Sequence, residues 1–130
     1  MKQIIPFTLV FILFFSFGCQ KNKEEKINGN WEYVYLSNVG NTKQIWTFNK
    51  DKSLIRSITI DSTISDTASW KIEAKAFSRP NLTISNLDDI NDGIYEVLTL
   101  SKKFLIIERI SLSNGNTEGA FNRIEFVKSK

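Results

Sequence analysis

The 130-residue chain has no histidine, one cysteine and two prolines. Without histidine it lacks the usual general base at neutral pH, the Ser-His-Asp triad and any His-ligated zinc or iron site. A single cysteine allows no internal disulfide, so a folded domain must be held by its apolar core alone, which about 100 residues can manage. Neither Gly-x-Ser-x-Gly nor Gly-Lys-Ser/Thr occurs, and the carboxylates are scattered rather than paired. The expectation is a protein that is not an enzyme and needs no cofactor. A strong charge is missing too. The net charge is +3, but residues 28–130 hold 13 Lys+Arg against 12 Asp+Glu. That is no nucleic-acid footprint.

One long apolar run is present, Ile4–Phe17, with Lys2 before it and Gly18-Cys19 after it. A membrane-spanning helix needs roughly 20 apolar residues and a secretory core about 7–15. The length therefore favours a signal peptide over plain anchoring by a helix. Gly18-Cys19 resembles the lipobox of bacterial lipoproteins, although Ser16 and Phe17 depart from its usual residues. The resemblance implies cleavage after residue 18 and acylation of Cys19 by fatty acids such as palmitate, with membrane attachment through that lipid. Gln20 is not the aspartate that retains such lipoproteins at the inner membrane, which points to the outer membrane. Lys23-Glu24-Glu25 resembles a short export signal to the outer face; a solvated charged linker reads equally well. Residues 19–27 are thus expected to be a lipidated, disordered tether. The folded domain is expected over residues 28–130.

From Gly29 onward the pattern is one of short β-rich runs between turn residues. Strands are expected at Trp31–Val39, Gln44–Asn49, Ser53–Ile60, Ala68–Glu73, Asn81–Ser85, Ile94–Leu100, Phe104–Leu112 and Gly119–Val127. Asp61–Thr67 reads as a polar connection, Arg79-Pro80 as a break, and Asn114-Gly115 as a type I′ hairpin turn. Eight strands without a helical crossover predict an all-β, antiparallel up-and-down barrel, with a two-sheet β-sandwich as the competing fold. Closure pairs the last strand with the first and brings Trp31 within reach of Ile124 or Phe126.

Gly29-Asn30-Trp31 resembles the Gly-x-Trp opening of lipocalins and of the smaller lipocalin-like domains of bacterial lipoproteins. Trp46-Thr47-Phe48-Asn49, Ser69-Trp70-Lys71-Ile72, Leu82-Thr83-Ile84 and Tyr95-x-Val97 leading to Phe104-Leu105-Ile106-Ile107 fit the smaller family as well. The full-size lipocalin disulfide and C-terminal helix are missing. The resemblance implies a barrel that binds a small apolar or amphipathic molecule at the cell envelope.

Trp31, Tyr33, Trp46, Phe48 and Trp70 alternate onto one inward face. They are the candidate ligand pocket, or else the core that fills the barrel. A filled barrel would instead dock a partner protein of the envelope. Asp88-Asp89-Ile90-Asn91-Asp92-Gly93 looks acidic enough for calcium, but its spacing fails the EF-hand pattern in either register. Asp66-Thr67-Ala68 resembles a three-residue bacterial O-glycosylation acceptor.

Overall fold

The computed structural model describes residues 19–35 and 40–130. The signal-peptide reading of residues 1–18 and the second half of the expected first strand lie outside them. Eight strands close into one antiparallel barrel in chain order: β1 (Gly29–Tyr33), β2 (Lys43–Phe48), β3 (Ser53–Thr59), β4 (Thr63–Lys75), β5 (Ser78–Ser85), β6 (Gly93–Leu100), β7 (Phe104–Ser111) and β8 (Arg123–Lys128). The expected barrel is the observed one, and the sandwich alternative falls away. The closing pair is β1 with β8, in the register Trp31↔Lys128, Glu32↔Val127 and Tyr33↔Phe126.

Alternation drives this architecture. In β2 the buried residues are Gln44, Trp46 and Phe48, and in β4 they are Ala68, Trp70 and Ile72. Leu105 and Ile107 of β7 and Ile124 and Phe126 of β8 continue the same inward face. Their side chains meet in one core, while the outward positions between them are half-buried or exposed. Closure gives every strand a neighbour on both sides over at least part of its length, which removes most of the open edge a sheet would otherwise present.

Four local expectations are corrected. Residues 63–67 are strand rather than connection: β4 runs 13 residues, and its upper part pairs with β3 alone down to Ser69↔Ser85, where β5 joins. Solvent reaches both faces there, so no apolar alternation marks it. Arg79 and Pro80 lie inside β5, opposite a register shift between Glu73 and Lys75. A bulge is where a strand tolerates a proline that cannot donate. Asn114-Gly115 does not form a two-residue hairpin. Only Gly115 has a positive φ, of 85°, and the turn sits inside a long connection that delays β8 until Arg123. Gly115 N donates to the Leu112 carbonyl, and Leu112 N to that of Asn116.

The fourth correction concerns the tether. Residues 19–27 are helical, and the helix is docked on the barrel. Gln, Lys and Glu are good helix formers, and Gln20 donates to Glu24 one turn on, at 3.1 Å. Tertiary contacts do the rest. The Gln20 amide donates to the Ile72 carbonyl and accepts from Ala74 N at 2.6 Å. Ile27, the one branched apolar residue of the segment, is fully buried with the core. Gly29, where β1 begins just past the helix, has φ +121°, and a Cβ there would fall 2.6 Å from Lys128 Nζ.

Candidate functional site

Strand direction gives the barrel two different ends. The helix, the β2–β3, β4–β5 and β6–β7 turns and the C-terminus lie at one, called here the helix end. The β1–β2, β3–β4, β5–β6 and β7–β8 connections lie at the other, the far end.

The helix end is sealed by two tryptophans. Trp31 is completely buried, donates from Nε1 to the Ile27 carbonyl at 2.7 Å, and carries Lys128 Nζ 4.4 Å over its ring. Trp70 donates to the carbonyls of Asn49 and Ser53, both at 3.1 Å, under Lys52 Nζ at 4.5 Å from its ring. Lys52 also pairs with Glu24 of the helix at 3.0 Å, and the Glu24 carboxyl is held below its ordinary pKa chiefly by that contact. Burial pushes the Lys128 ammonium pKa down. The ring face and the Asn28 carbonyl, 2.8 Å away, favour the charge that burial opposes.

The five aromatic candidates do share the interior. Phe48 meets Trp70 edge-on with centroids 5.5 Å apart, and Trp46 lies 5.1 Å from Phe126. Trp31, Trp46, Phe48 and Trp70 are at most 2% exposed, so they are packed core. Tyr33 differs. It is half-buried, stands 5.7 Å from Phe126 and 4.8 Å from Tyr35, and burial raises its phenol pKa. β1 and β8 set Trp31 opposite Lys128 in register, Trp31 shares one buried core cluster with Ile124 and Phe126, and the Phe126 ring stands beside Tyr33 and Trp46.

Above this core the inward face turns polar. Gln44 is buried, accepts from Trp46 Nε1 at 3.1 Å and donates to the Tyr35 hydroxyl at 3.3 Å. Arg56 follows Leu54 at the inward spacing and pairs with Asp66 at 2.7 Å and Asp88 at 2.5 Å. It fills the gap where β4 has lost contact with β5. Burial opposes ionisation of Asp88, but hydrogen bonds from Asn91 and Arg56 outweigh it and hold the pKa below its ordinary value. Arg109, 7% exposed, donates to the carbonyls of Ile90, of Asp92 at 3.0 Å and of Ala120 at 2.7 Å, tying two far-end loops together. Tyr95, its hydroxyl on the Asn91 carbonyl at 2.7 Å, has its pKa pushed up by burial to about 12. Sequence reading missed both arginines. Their signal was positional: Leu54-x-Arg56 and Ile107-x-Arg109 continue runs of inward residues.

The acidic loop is occupied with itself. Asp88 Oδ1 accepts from the amides of Ile90 and Asn91, and the Asp92 carboxylate from those of Asn86, Leu87 and Asp88. Among the described residues no group of three or more side chains is placed to hold a metal. Thr67 of the Asp66-Thr67-Ala68 stretch is exposed, on β4. Cys19 is exposed at the start of the described helix.

A cleft of about 230 Å³ lies at the far end where β1 leaves β8, lined by Tyr33, Val34, Tyr35, Arg123 and Glu125. One wall is aromatic; the other carries the Arg123–Glu125 ion pair at 3.0 Å. Large apolar side chains stand exposed around the same end, namely Ile60, Ile64, Ile90 and Phe121.

No family model matches the chain. No curated protein matches it either. Among solved structures it is similar to japanin from Rhipicephalus appendiculatus, bound in that crystal to cholesterol, at 16% identity and a TM-score of 0.43 over 79% of this chain and 76% of that one.

Proposed function

We propose that the protein is a lipid-anchored barrel of the cell envelope, held at the outer membrane through acylated Cys19, that binds a small amphipathic molecule at its far end. The cleft of Tyr33 and Tyr35 carries this reading, because it sets aromatic faces beside an ion pair at the end away from the anchor. Its volume falls below the roughly 300–1,000 Å³ of drug-sized pockets. The ligand therefore enters with one ring or a short chain, held between the tyrosines and the ion pair. On this reading the chain works by binding.

Gln44 bridges Tyr35 and Trp46, so a molecule settling on Tyr35 alters the surroundings of Trp46. Titration with fatty acids, retinoids and haem-like compounds should give a saturable change in tryptophan emission that Tyr35→Ala removes. A flat response across that panel would defeat the small-ligand reading. A second reading, docking of an envelope protein, is favoured by the exposed Ile60, Ile64, Ile90 and Phe121. A photo-crosslinker at position 64 that captures one defined partner in cells would support it.

A further inference from the structure

The two ends of the barrel carry opposite charge. At the helix end basic residues outnumber acidic ones in every element: Lys21, Lys23 and Lys26 against Glu24 and Glu25 in the helix, and Lys50 and Lys52 against Asp51 in the β2–β3 turn. Lys75 and Arg79 stand against Glu73 at the β4–β5 turn, Lys102 and Lys103 have no acid beside them, and Lys128 and Lys130 finish the chain. Lys52 and Lys128 are spent on Trp70 and Trp31. Lys21, Lys26, Lys50, Lys102, Lys103 and Lys130 remain exposed. The far end has the reverse balance, with Asp61, Asp88, Asp89, Asp92 and Glu118 around its loops against the exposed Lys43, both of its inward arginines consumed internally and Arg123 paired with Glu125.

Phe77 stands at this basic end, between Lys75 and Arg79 in the chain. It sits at the tip of the β4–β5 turn with φ 61° and is wholly exposed, at 108%. A non-glycine residue with positive φ is uncommon, and here it holds a large aromatic ring off the body of the protein. Phe104, half exposed, lies at the same end. Lysines around a protruding aromatic fit a surface that is anionic outside and apolar beneath. Such surfaces also attract a polybasic face while repelling the acidic far end.

We propose that the helix end is a docking face for anionic phospholipid headgroups, with Phe77 as the apolar wedge between them. This rests on reading Cys19 as the anchor, which turns the same end toward the bilayer. The helix strengthens it. At about 1.5 Å per residue, residues 19–27 span about 14 Å, less than half the roughly 30 Å they would reach when extended. The barrel then rests on the lipid with its far-end cleft facing away.

The test uses the full lipidated chain carrying Phe77→Trp, reconstituted into vesicles whose acyl chains are brominated. One set is phosphatidylcholine alone; the other adds phosphatidylglycerol. Because the Phe77 side chain is free of the core, the variant should fold as the wild type does, and the wild type supplies the blank for the three buried tryptophans. The expected result is quenching of the added emission with phosphatidylglycerol and its loss in 1 M salt, where the Debye length is about 3 Å. Lys102→Gln with Lys103→Gln should lower the docked-to-undocked ratio roughly fivefold per lysine. A chain that floats with the vesicles but shows no added quenching would overturn the docking face while leaving the anchor intact. Equal quenching in neutral vesicles would overturn its electrostatic basis, as would an acidic protein from the membrane extract occupying the face. A chain that fails to float with neutral vesicles would refute the anchor, and quenching with phosphatidylglycerol would still decide the docking face by itself.

Discussion

Lys128 lays its ammonium 4.4 Å over the ring of Trp31, at the point where the last strand meets the first. The pair closes the barrel and seals its helix end together. Trp31→Ala should cost about 3–5 kcal/mol, read as a lower denaturation midpoint in urea. Lys128→Met keeps the aliphatic cover and loses only the charge over the ring and its bond to Asn28, so it should cost about 1–2 kcal/mol. Equal losses for both variants would show that the ring's burial is not the larger part.

Gly29 makes room for that lysine. An added Cβ would sit 2.6 Å from Lys128 Nζ, on a backbone at φ +121°. Gly29→Ala should therefore destabilise by more than about 1 kcal/mol. In the Lys128→Ala background the steric part of the loss should vanish and the backbone part persist. Urea titration of the four chains would separate the two.

Much of the fold was legible because closure and alternation are written in apolar spacing. Trp46-x-Phe48, Trp70-x-Ile72 and Ile124-x-Phe126 announce their own inward face. What escaped was polar. The upper half of β4 has solvent on both sides, so Asp61–Thr67 read as loop. Residues 19–27 hold only Ile27 as an apolar anchor, and no periodicity shows that one side chain plus Gln20 can dock a helix. Among the candidate residues, the tryptophans are packed core and none of them lines the cleft. Tyr33 reaches the cleft, while Tyr35, Arg123 and Glu125 join it only through the departure of β1 from β8.

The Arg56 cluster should make stability depend on acid. The Asp88 carboxyl has a folded pKa below its ordinary 3.8. A lowered carboxylate contributes fully above the ordinary value and loses that contribution as pH falls through it toward the folded value. Unfolding free energy should therefore decline below about pH 4, and Asp88→Asn should flatten the slope. Arg56→Met, which removes the charged partner of both Asp66 and Asp88, should cost about 1–2 kcal/mol at neutral pH. An unchanged acid limb in Asp88→Asn would remove the cluster as its source.

Acylation of Cys19 supplies the anchor in the proposed function, at about 0.8 kcal/mol per buried CH₂. Cys19→Ser, with removal of the signal peptide verified by mass, should move the protein to the soluble fraction at high salt. A processed variant that stays membrane-bound there would end the lipoprotein reading.

The ladder between β1 and β8 also sets a clock. Lys128 meets Asn28 across 100 residues of chain. Contacts this distant in sequence form late and slowly, because the loop they close must first be ordered. Until the last strand arrives, β1 lacks one neighbour and the helix end has no lid over Trp31. A nascent chain held by its N-terminus is thus kept from reaching its final form until its C-terminal residues are available. Under the envelope reading proposed above, that delay is an advantage: a chain threaded across a membrane in extended form would assemble its barrel only on the side where it stays.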